Sequence, residues 1–130
     1  MVFNDLYIAL GLTSGTNNEL QVYGFDGSNL TPIDSVDFPA ARVATLSWHP
    51  SQLFLAVGSQ PVAAAPELRM YSFNGSSLTL EDSIEFGTEI AGVKFHKSGD
   101  YLAVTKGTVS EISLYPVSSA GIFGTPATAT

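Results

Sequence analysis

Two histidines are the residues whose type and spacing come closest to a metal or proton-transfer site. His49 and His96 lie 47 positions apart, and each stands directly before a short polar segment. Neutral imidazoles bind zinc, but a zinc site needs at least three protein donors. The chain contains no cysteine, and no third donor repeats near either histidine. We therefore predict that both histidines belong to turns between strands, and that the chain binds neither a metal ion nor another cofactor.

Acidic side chains form the second group that could carry chemistry. Asp34 and Asp37 lie in one segment, and Glu81, Asp82 and Glu85 lie in a similar segment further along. Neighbouring carboxylates can act as an acid–base pair or bind calcium. They also occur on the outer strand of a sheet, where their charge opposes pairing with another chain. We expect this second role, a solvated edge.

Other catalytic patterns are missing from the sequence. It has no Gly-x-Ser-x-Gly segment, and neither histidine has a recognisable nucleophile partner. No glycine-rich phosphate loop precedes a helix-like segment. We predict no catalytic and no cofactor-binding residues, and hence a protein that is not an enzyme.

The composition restricts the possible partners. The chain has 130 residues, of which 45% are hydrophobic, and its 12 acidic and 5 basic residues give a formal net charge of −7. So few basic residues argue against a nucleic-acid partner. No apolar run approaches the roughly 18 residues of a membrane span. The first ten residues also lack the basic start of a signal peptide. We expect a soluble protein without a membrane or nucleic-acid partner.

The elements that would position these residues repeat along the chain. Leu6–Gly11 resembles Leu53–Gly58 and the run Tyr101–Val104, and the central alanines of these runs are spaced by 47 residues. A longer segment, Glu19–Phe38, matches Glu67–Phe86 at 11 of 20 positions with an offset of 48. A repeat of 40 to 50 residues is typical of stacked supersecondary units.

The repeating unit contains four strand-like segments. In the middle repeat they are Val43–Trp48, Leu53–Gly58, Leu68–Phe73 and Leu78–Phe86. The segments alternate or are nearly all apolar, and they are rich in residues that favour strands. Asp26-Gly27 and Asn74-Gly75 predict hairpin turns with positive φ at both residues. We assign Trp48, the only tryptophan, to the core.

Two of these segments carry a family resemblance. Val93–Val104 reads Val-Lys-Phe-His-Lys-Ser-Gly-Asp-Tyr-Leu-Ala-Val, and Leu46–Val57 follows the same pattern. Both resemble the WD-repeat-like β-propeller family, in which a Phe-x-Pro-x-Gly turn precedes a Tyr-Leu-Ala-Val strand. The Trp-Asp and Gly-His pairs of standard repeats are absent. Glu111–Pro116 and Gly121–Thr128 are similar to divergent propeller repeats of bacteriophage structural proteins.

The repeats and the resemblance together predict an all-β fold of three propeller blades, each with four antiparallel strands, in one domain spanning residues 1–130. The blades cover about 1–41, 42–88 and 89–130. The first blade is expected to lack its innermost strand. Three blades do not close a ring, so either the chain is a piece of a longer propeller or copies of it assemble. We expect oligomerisation to complete the ring, with a homodimer of six blades as first choice.

A loop rather than a pocket is the candidate contact site. Ser59–Pro66 is longer than its counterpart, Lys106–Ser110, and loops on a rigid scaffold often carry recognition. We therefore assign a candidate contact surface to Ser59, Gln60 and Pro61. The resemblance implies a non-enzymatic binding or structural module, such as a phage virion component that contacts other proteins, located in the cytoplasm or a virion. The alternative is a carbohydrate-binding, lectin-like propeller assembled from small-repeat subunits, so the external partner is a protein or a glycan.

Overall fold

The computed structural model describes residues 1–4, 6–15, 17–107 and 111–129, and these ranges contain strands and turns without helices. The predicted all-β class is confirmed. Within the described ranges no helix is long and apolar enough to cross a membrane. In chain order the strands are β1 (Val2–Asn4), β2 (Tyr7–Gly11), β3 (Leu20–Phe25), β4 (Leu30–Val36), β5 (Val43–Trp48), β6 (Phe54–Ser59), β7 (Leu68–Phe73), β8 (Leu78–Ile84), β9 (Ile90–Phe95), β10 (Tyr101–Lys106), β11 (Ile112–Pro116) and β12 (Ala127–Ala129).

The strands form three antiparallel sheets of four strands each, in simple chain order. Sheet 1 contains β1 to β4, sheet 2 contains β5 to β8, and sheet 3 contains β9 to β12. The four strands of sheets 2 and 3 agree with the predicted repeat, whereas sheet 1 contains one strand more than predicted. The boundaries of a single domain and the closure of a ring stay predictions.

Sheet 1 contains an innermost strand that the sequence prediction left out. The three residues of β1 pair antiparallel with β2, with Val2 opposite Ala9. This position corresponds to β5 in sheet 2 and β9 in sheet 3. The prediction missed β1 because backbone pairing requires no side-chain similarity, and three residues are too few to align with the longer repeats.

The second and third strands lie in the middle of each sheet and carry most of the core. Leu55, Ala56 and Val57 on β6 are completely buried. Successive side chains on a strand point to opposite faces, so a run that is buried throughout must be covered on both faces. In sheet 2 one face lies against sheet 1 and the other against sheet 3.

The hydrophobic core consists of two clusters, one between each pair of consecutive sheets. In the first cluster Leu20 and Val22 of sheet 1 are covered by residues of sheet 2 such as Tyr71 and Phe73. Phe73 also contacts the ring of Tyr7 edge-on, with a centroid distance of 5.0 Å. In the second cluster the corresponding residues of sheet 2 are covered by sheet 3. The three sheets are therefore layers of one stack.

Trp48 lies in the first cluster, as predicted, with its ring centroid 6.1 Å from that of Phe73. Its indole N–H is the one buried side-chain donor without a hydrogen-bond partner among the described residues. Phe95 occupies the corresponding position of sheet 3 and is also buried. Both sheets therefore have a large buried ring at this position, and within the described ranges it makes no polar contact in either one.

Glycine allows consecutive sheets to approach closely at one repeated position. A Cβ atom at Gly11 would lie 2.6 Å from Val43 Cγ1, and a Cβ atom at Gly58 would lie 2.6 Å from Ile90 Cγ2. Such distances are shorter than any real carbon–carbon contact between non-bonded side chains. The last residue of β2 and the fifth of β6 thus have no room for a side chain, because the next sheet occupies that space.

The predicted hairpin turns are present, but their geometry differs from the prediction. The turns that join β3 to β4 and β7 to β8 have positive φ at Gly27 and Gly75, at 97° and 91°. The φ angles of Asp26 and Asn74 are not positive. They precede the central residues, and their side-chain oxygens accept hydrogen bonds from the two backbone amides at the end of the turn. Among the described residues, the glycine is therefore the one residue of each turn with positive φ.

Candidate functional site

The two histidines lie in the predicted turns. His49 follows β5, and its Nδ1 accepts hydrogen bonds from the backbone amides of Ser51 and Gln52 at 3.1 and 3.0 Å. His96 follows β9, and its Nδ1 accepts a bond from the Ser98 amide at 3.1 Å. Both rings therefore hold the turn that follows them. In the described part of the chain no group of three His, Asp or Glu residues could hold a metal ion.

The two histidines differ in burial. His49 is only 8% exposed, and its ring packs against Phe95 of the next sheet and against the backbone of Gly99. Burial lowers the pKa of His49, while the hydrogen bond with the Gly99 backbone and the charge of Asp100 act in the opposite direction. His96 is exposed. His49 thus belongs to the contact between sheets 2 and 3.

We predict that His49 makes the protein less stable in mild acid. A folded-state pKa below the unfolded value of about 6.5 means that the unfolded chain takes up the proton first. The contribution of His49 to stability is therefore complete above the unfolded pKa, and it falls as the pH decreases towards the lower folded pKa. Protonation of Nδ1 would also remove the acceptor of two amide bonds. We expect the melting temperature to fall between about pH 8 and pH 5.

The variant His49→Asn separates titration from turn formation, because an asparagine oxygen can accept the same amide bonds without titrating. Its loss of melting temperature between the two pH values should be roughly half that of the parent or less. His96→Asn is the matched control and should retain the parent profile. Identical profiles for the parent and His49→Asn would refute the role of His49.

Two of the carboxylates that were expected on a solvated edge have a different role. Asp34 Oδ2 accepts a hydrogen bond of 2.7 Å from the Leu78 amide of sheet 2. Asp82 Oδ2 accepts one of 2.9 Å from the Phe123 amide, in the connection between β11 and β12 of sheet 3. Both are inter-sheet contacts, so the edge prediction was wrong for these two residues. Asp37, Glu81 and Glu85 are exposed, as expected.

A β-bulge explains how these two carboxylates reach the next sheet. The register between β3 and β4 shifts next to Asp34, and that between β7 and β8 shifts next to Asp82. One extra residue in the outer strand turns the following side chain away from its regular direction. Sequence patterns do not reveal a bulge, so the strict alternation assumed at these positions placed the carboxylates in solvent.

Two buried glutamates occupy identical positions of the repeat, but the sequence analysis assigned them no role. Glu19 and Glu67 are each 1% exposed. Glu19 Oε2 accepts a bond of 2.7 Å from the Phe38 amide, and Glu67 Oε2 accepts one of 2.6 Å from the Phe86 amide. The Phe38 amide is the main cause of the lowered pKa of Glu19. Each glutamate therefore fixes the segment that leads to the next sheet.

The cations of the next sheet complete this repeated contact. The Arg69 guanidinium lies 4.0 Å from the centroid of the Phe38 ring, and Lys106 Nζ lies 5.0 Å from that of Phe86. A cation over an aromatic face is attracted by the ring quadrupole. Glutamate, phenylalanine and cation thus form a linkage that occurs at both contacts between sheets.

The structure separates the three residues of the candidate contact loop. Ser59 ends β6 and is 1% exposed, with its amide bonded to the Glu67 carbonyl at 2.8 Å. It therefore positions the loop and does not face solvent. Gln60 and Pro61 are exposed, and the Gln60 amide donates to the Arg42 carbonyl at 3.1 Å. Residues 108–110 of the counterpart loop lie outside the described residues. The binding role of the loop stays a prediction.

The loop borders a small cleft at the contact of sheets 1 and 2, which we call the loop notch. Its volume is about 30 Å³, which suffices for a water molecule or two but not for a sugar ring. The residues that line it are Phe38, Pro39, Ala41, Ser59, Gln60, Val62, Ala65, Pro66 and Arg69. The notch is therefore too small to serve as a pocket for a sugar-sized ligand.

Backbone strain is concentrated beside the loop notch. Ala40 and Ala64 have φ of 60° and 61° and are the two non-glycine residues with positive φ in the described ranges. A left-handed conformation costs an L-residue roughly 1–2 kcal/mol. Residues in such conformations persist where the surrounding structure holds them, and they cluster at functional sites. The strain makes this end of the molecule the best candidate for recognition.

Comparison with known proteins identifies the fold but no family. No family model matches the chain, and no curated protein matches it. An auxiliary nutrient binding protein from Bacteroides ovatus ATCC 8483 is similar in structure, with a TM-score of 0.62 and 15% identity over 92% of this chain. One from Bacteroides thetaiotaomicron VPI-5482 has a TM-score of 0.64 and 16% identity over 91%. The chain spans only 28% and 27% of those proteins.

Proposed function

We propose that this chain is a non-enzymatic binding module whose three sheets are blades of a β-propeller. The observation that carries the proposal is that the residues suited to chemistry are bound to the protein's own backbone. The His49 ring and the carboxylates of Asp34 and Glu67 all accept backbone amide bonds, within a sheet or between sheets. The similar solved structures, described as nutrient binding proteins, also support a binding role.

The binding surface that we propose is the end of the sheets that carries the loop notch. Pro61, Ala63 and Ala64 are exposed there, and Gln60 supplies a polar side chain. The loop is held in place by the Ser59 and Gln60 amides and by an Ala65 amide bond to Val62. A surface that is ordered before binding loses less entropy on association. This favours a specific contact.

A protein partner fits this surface better than a small ligand. The loop notch is too small for a sugar ring, and the exposed loop residues are mostly apolar. We therefore propose a protein contact, such as that of a phage virion component with its neighbours. The glycan-binding alternative has less support, because Phe38, the aromatic residue of the notch, is only 1% exposed and its ring is covered by the Arg69 guanidinium.

Co-sedimentation with virions whose genome encodes the chain tests the proposal. The variant Pro61→Asp places a charge on the loop, and Pro50→Asp is the matched control at the opposite end of sheet 2. We expect Pro61→Asp to weaken retention at least about tenfold and Pro50→Asp to leave it unchanged. Equal retention of both variants would contradict the proposed surface. Binding to a glycan array that Pro61→Asp abolishes would favour the lectin-like alternative.

A further inference from the structure

Sheet 3 has an apolar face that no other sheet covers within the described part of the chain. Tyr101, Ile112 and Leu114 point to this face and are 42%, 48% and 39% exposed. Together with Ala127 and Ala129 on β12, the last two line a groove of about 300 Å³. Monomeric proteins rarely expose several large apolar residues side by side without a partner.

The same positions are buried in the other two sheets. Ile112 and Leu114 correspond to Leu68 and Met70 of sheet 2, because the paired strands have the same register around Ala56 and Ala103. Leu68 and Met70 are completely buried under sheet 3. The open face of sheet 3 therefore repeats, position by position, a surface that a further sheet covers elsewhere in the molecule.

The surface that would cover it is present at the other end of the chain. In sheet 2, Tyr71, Phe73 and Leu78 pack on sheet 1. Their counterparts in sheet 1 are Tyr23, Phe25 and Leu30, and they take no part in either core cluster. Phe25 and Leu30 are among the exposed large hydrophobic residues.

We propose that the open face of sheet 3 binds sheet 1 of a second copy of this chain. The junction is heterologous, because the two surfaces in contact are different. Two such junctions between two copies would close a six-sheet ring, which is the homodimer expected from the sequence. The docking face shares no lining residue with the loop notch, so the dimer does not depend on the proposed binding function.

The new junction would lack two features of the internal ones. Ala127 stands opposite Leu114, where Asp34 and Asp82 stand in the other sheets, so no carboxylate reaches across. Thr105 occupies the position that Gly11 and Gly58 have in the other two sheets, since all three residues pair with the first residue of the third strand of their sheet. The glycines allow the next sheet to approach closely, whereas Thr105 has a side chain there. The contact between copies is thus looser and more apolar than the internal ones, and we expect dissociation on dilution.

The mass in solution tests the proposal, measured by light scattering across a micromolar dilution series. We expect a dimer of twice 13.7 kDa that dissociates on dilution. Leu114→Asp should weaken the dimer at least about 30-fold, since it places a charge in the centre of the interface. Leu80→Asp is the control, because Leu80 is a similarly exposed leucine on neither open face. Ala127→Lys, at an exposed position of β12, provides a second disruptive variant.

Mixing two variants tests the heterologous arrangement. Leu114→Asp blocks the sheet 3 face, and Phe25→Asp blocks the sheet 1 face. Each variant should be monomeric alone, while an equimolar mixture should regain a dimer through the one intact pair of faces. Circular dichroism of each variant confirms folding. A parent that is a monodisperse monomer at micromolar concentration, variants that dimerise normally, or a mixture that stays monomeric would each overturn the proposal.

Discussion

Replacing Gly58 with valine is expected to destabilise the protein by about 3 kcal/mol, because the contact between sheets 2 and 3 has no room for a side chain. A Cβ atom at this position would lie 2.5 Å from Thr45 Cγ2 and 2.6 Å from Ile90 Cγ2. Neither neighbour is the end of a long flexible chain. Thr45 lies on the neighbouring strand of sheet 2 and Ile90 on sheet 3, so the valine would disturb both the pairing within sheet 2 and the contact with sheet 3.

Urea-induced unfolding measures this effect, and Gly15→Val is a suitable control. A Cβ atom at Gly15 would meet only the Thr13 carbonyl, at 3.9 Å. The control should change the free energy of unfolding by no more than about 0.5 kcal/mol. The double variant Gly58→Val with Ile90→Ala should recover part of the loss, because it vacates one of the two contacts. An equal effect of Gly58→Val and Gly15→Val would contradict the close approach.

Removing the Glu67 carboxylate is expected to cost about 2–3 kcal/mol in the variant Glu67→Ala. Glu67 Oε2 accepts bonds from the amides of Phe86 and Gly87 at 2.6 and 3.1 Å. Alanine would leave both amides without this acceptor in a partly buried site. Desolvated donors without a partner are more costly than the mean hydrogen bond.

Glu67→Gln provides the internal comparison, since its amide oxygen can still accept these bonds. We expect it to lose less than half as much free energy of unfolding as the alanine variant. Glu85→Ala, at an exposed position of the same segment, should be nearly neutral. If Glu67→Ala unfolds at the same urea concentration as Glu85→Ala, the carboxylate does not hold the segment between sheets 2 and 3.

Much of the strand arrangement could be predicted from the sequence, because apolar alternation and turn residues act locally. The runs around Ala9, Ala56 and Ala103 became the second strands, with the spacing that the repeat indicated. The hairpin positions were also correct, but the turn type was not. The turn type depends on the register of the flanking strands. A shift of one residue in that register decides whether the two central residues are Asp26 and Gly27 or Gly27 and Ser28.

The contacts between sheets could not be predicted in the same way. Glu19 and Phe38 are both identical to their repeat counterparts, Glu67 and Phe86, so the sequence marked all four residues. Nothing in it indicated that the start of the third strand meets the end of the fourth. That contact follows from the antiparallel register, and the carboxylate of Asp34 reached the next sheet only through a bulge.

The carboxylate bridges from one sheet to the next make the stability of each sheet depend on its immediate neighbours. The Leu78 amide is satisfied by sheet 1, and the Phe123 amide by sheet 2. Stacked units of this kind behave as a one-dimensional array, in which each unit adds its own free energy and a coupling to the unit beside it. Within one copy, sheet 2 is coupled on both sides, whereas sheets 1 and 3 are coupled on one. Fraying should therefore start at the outer layers and reach the middle layer last.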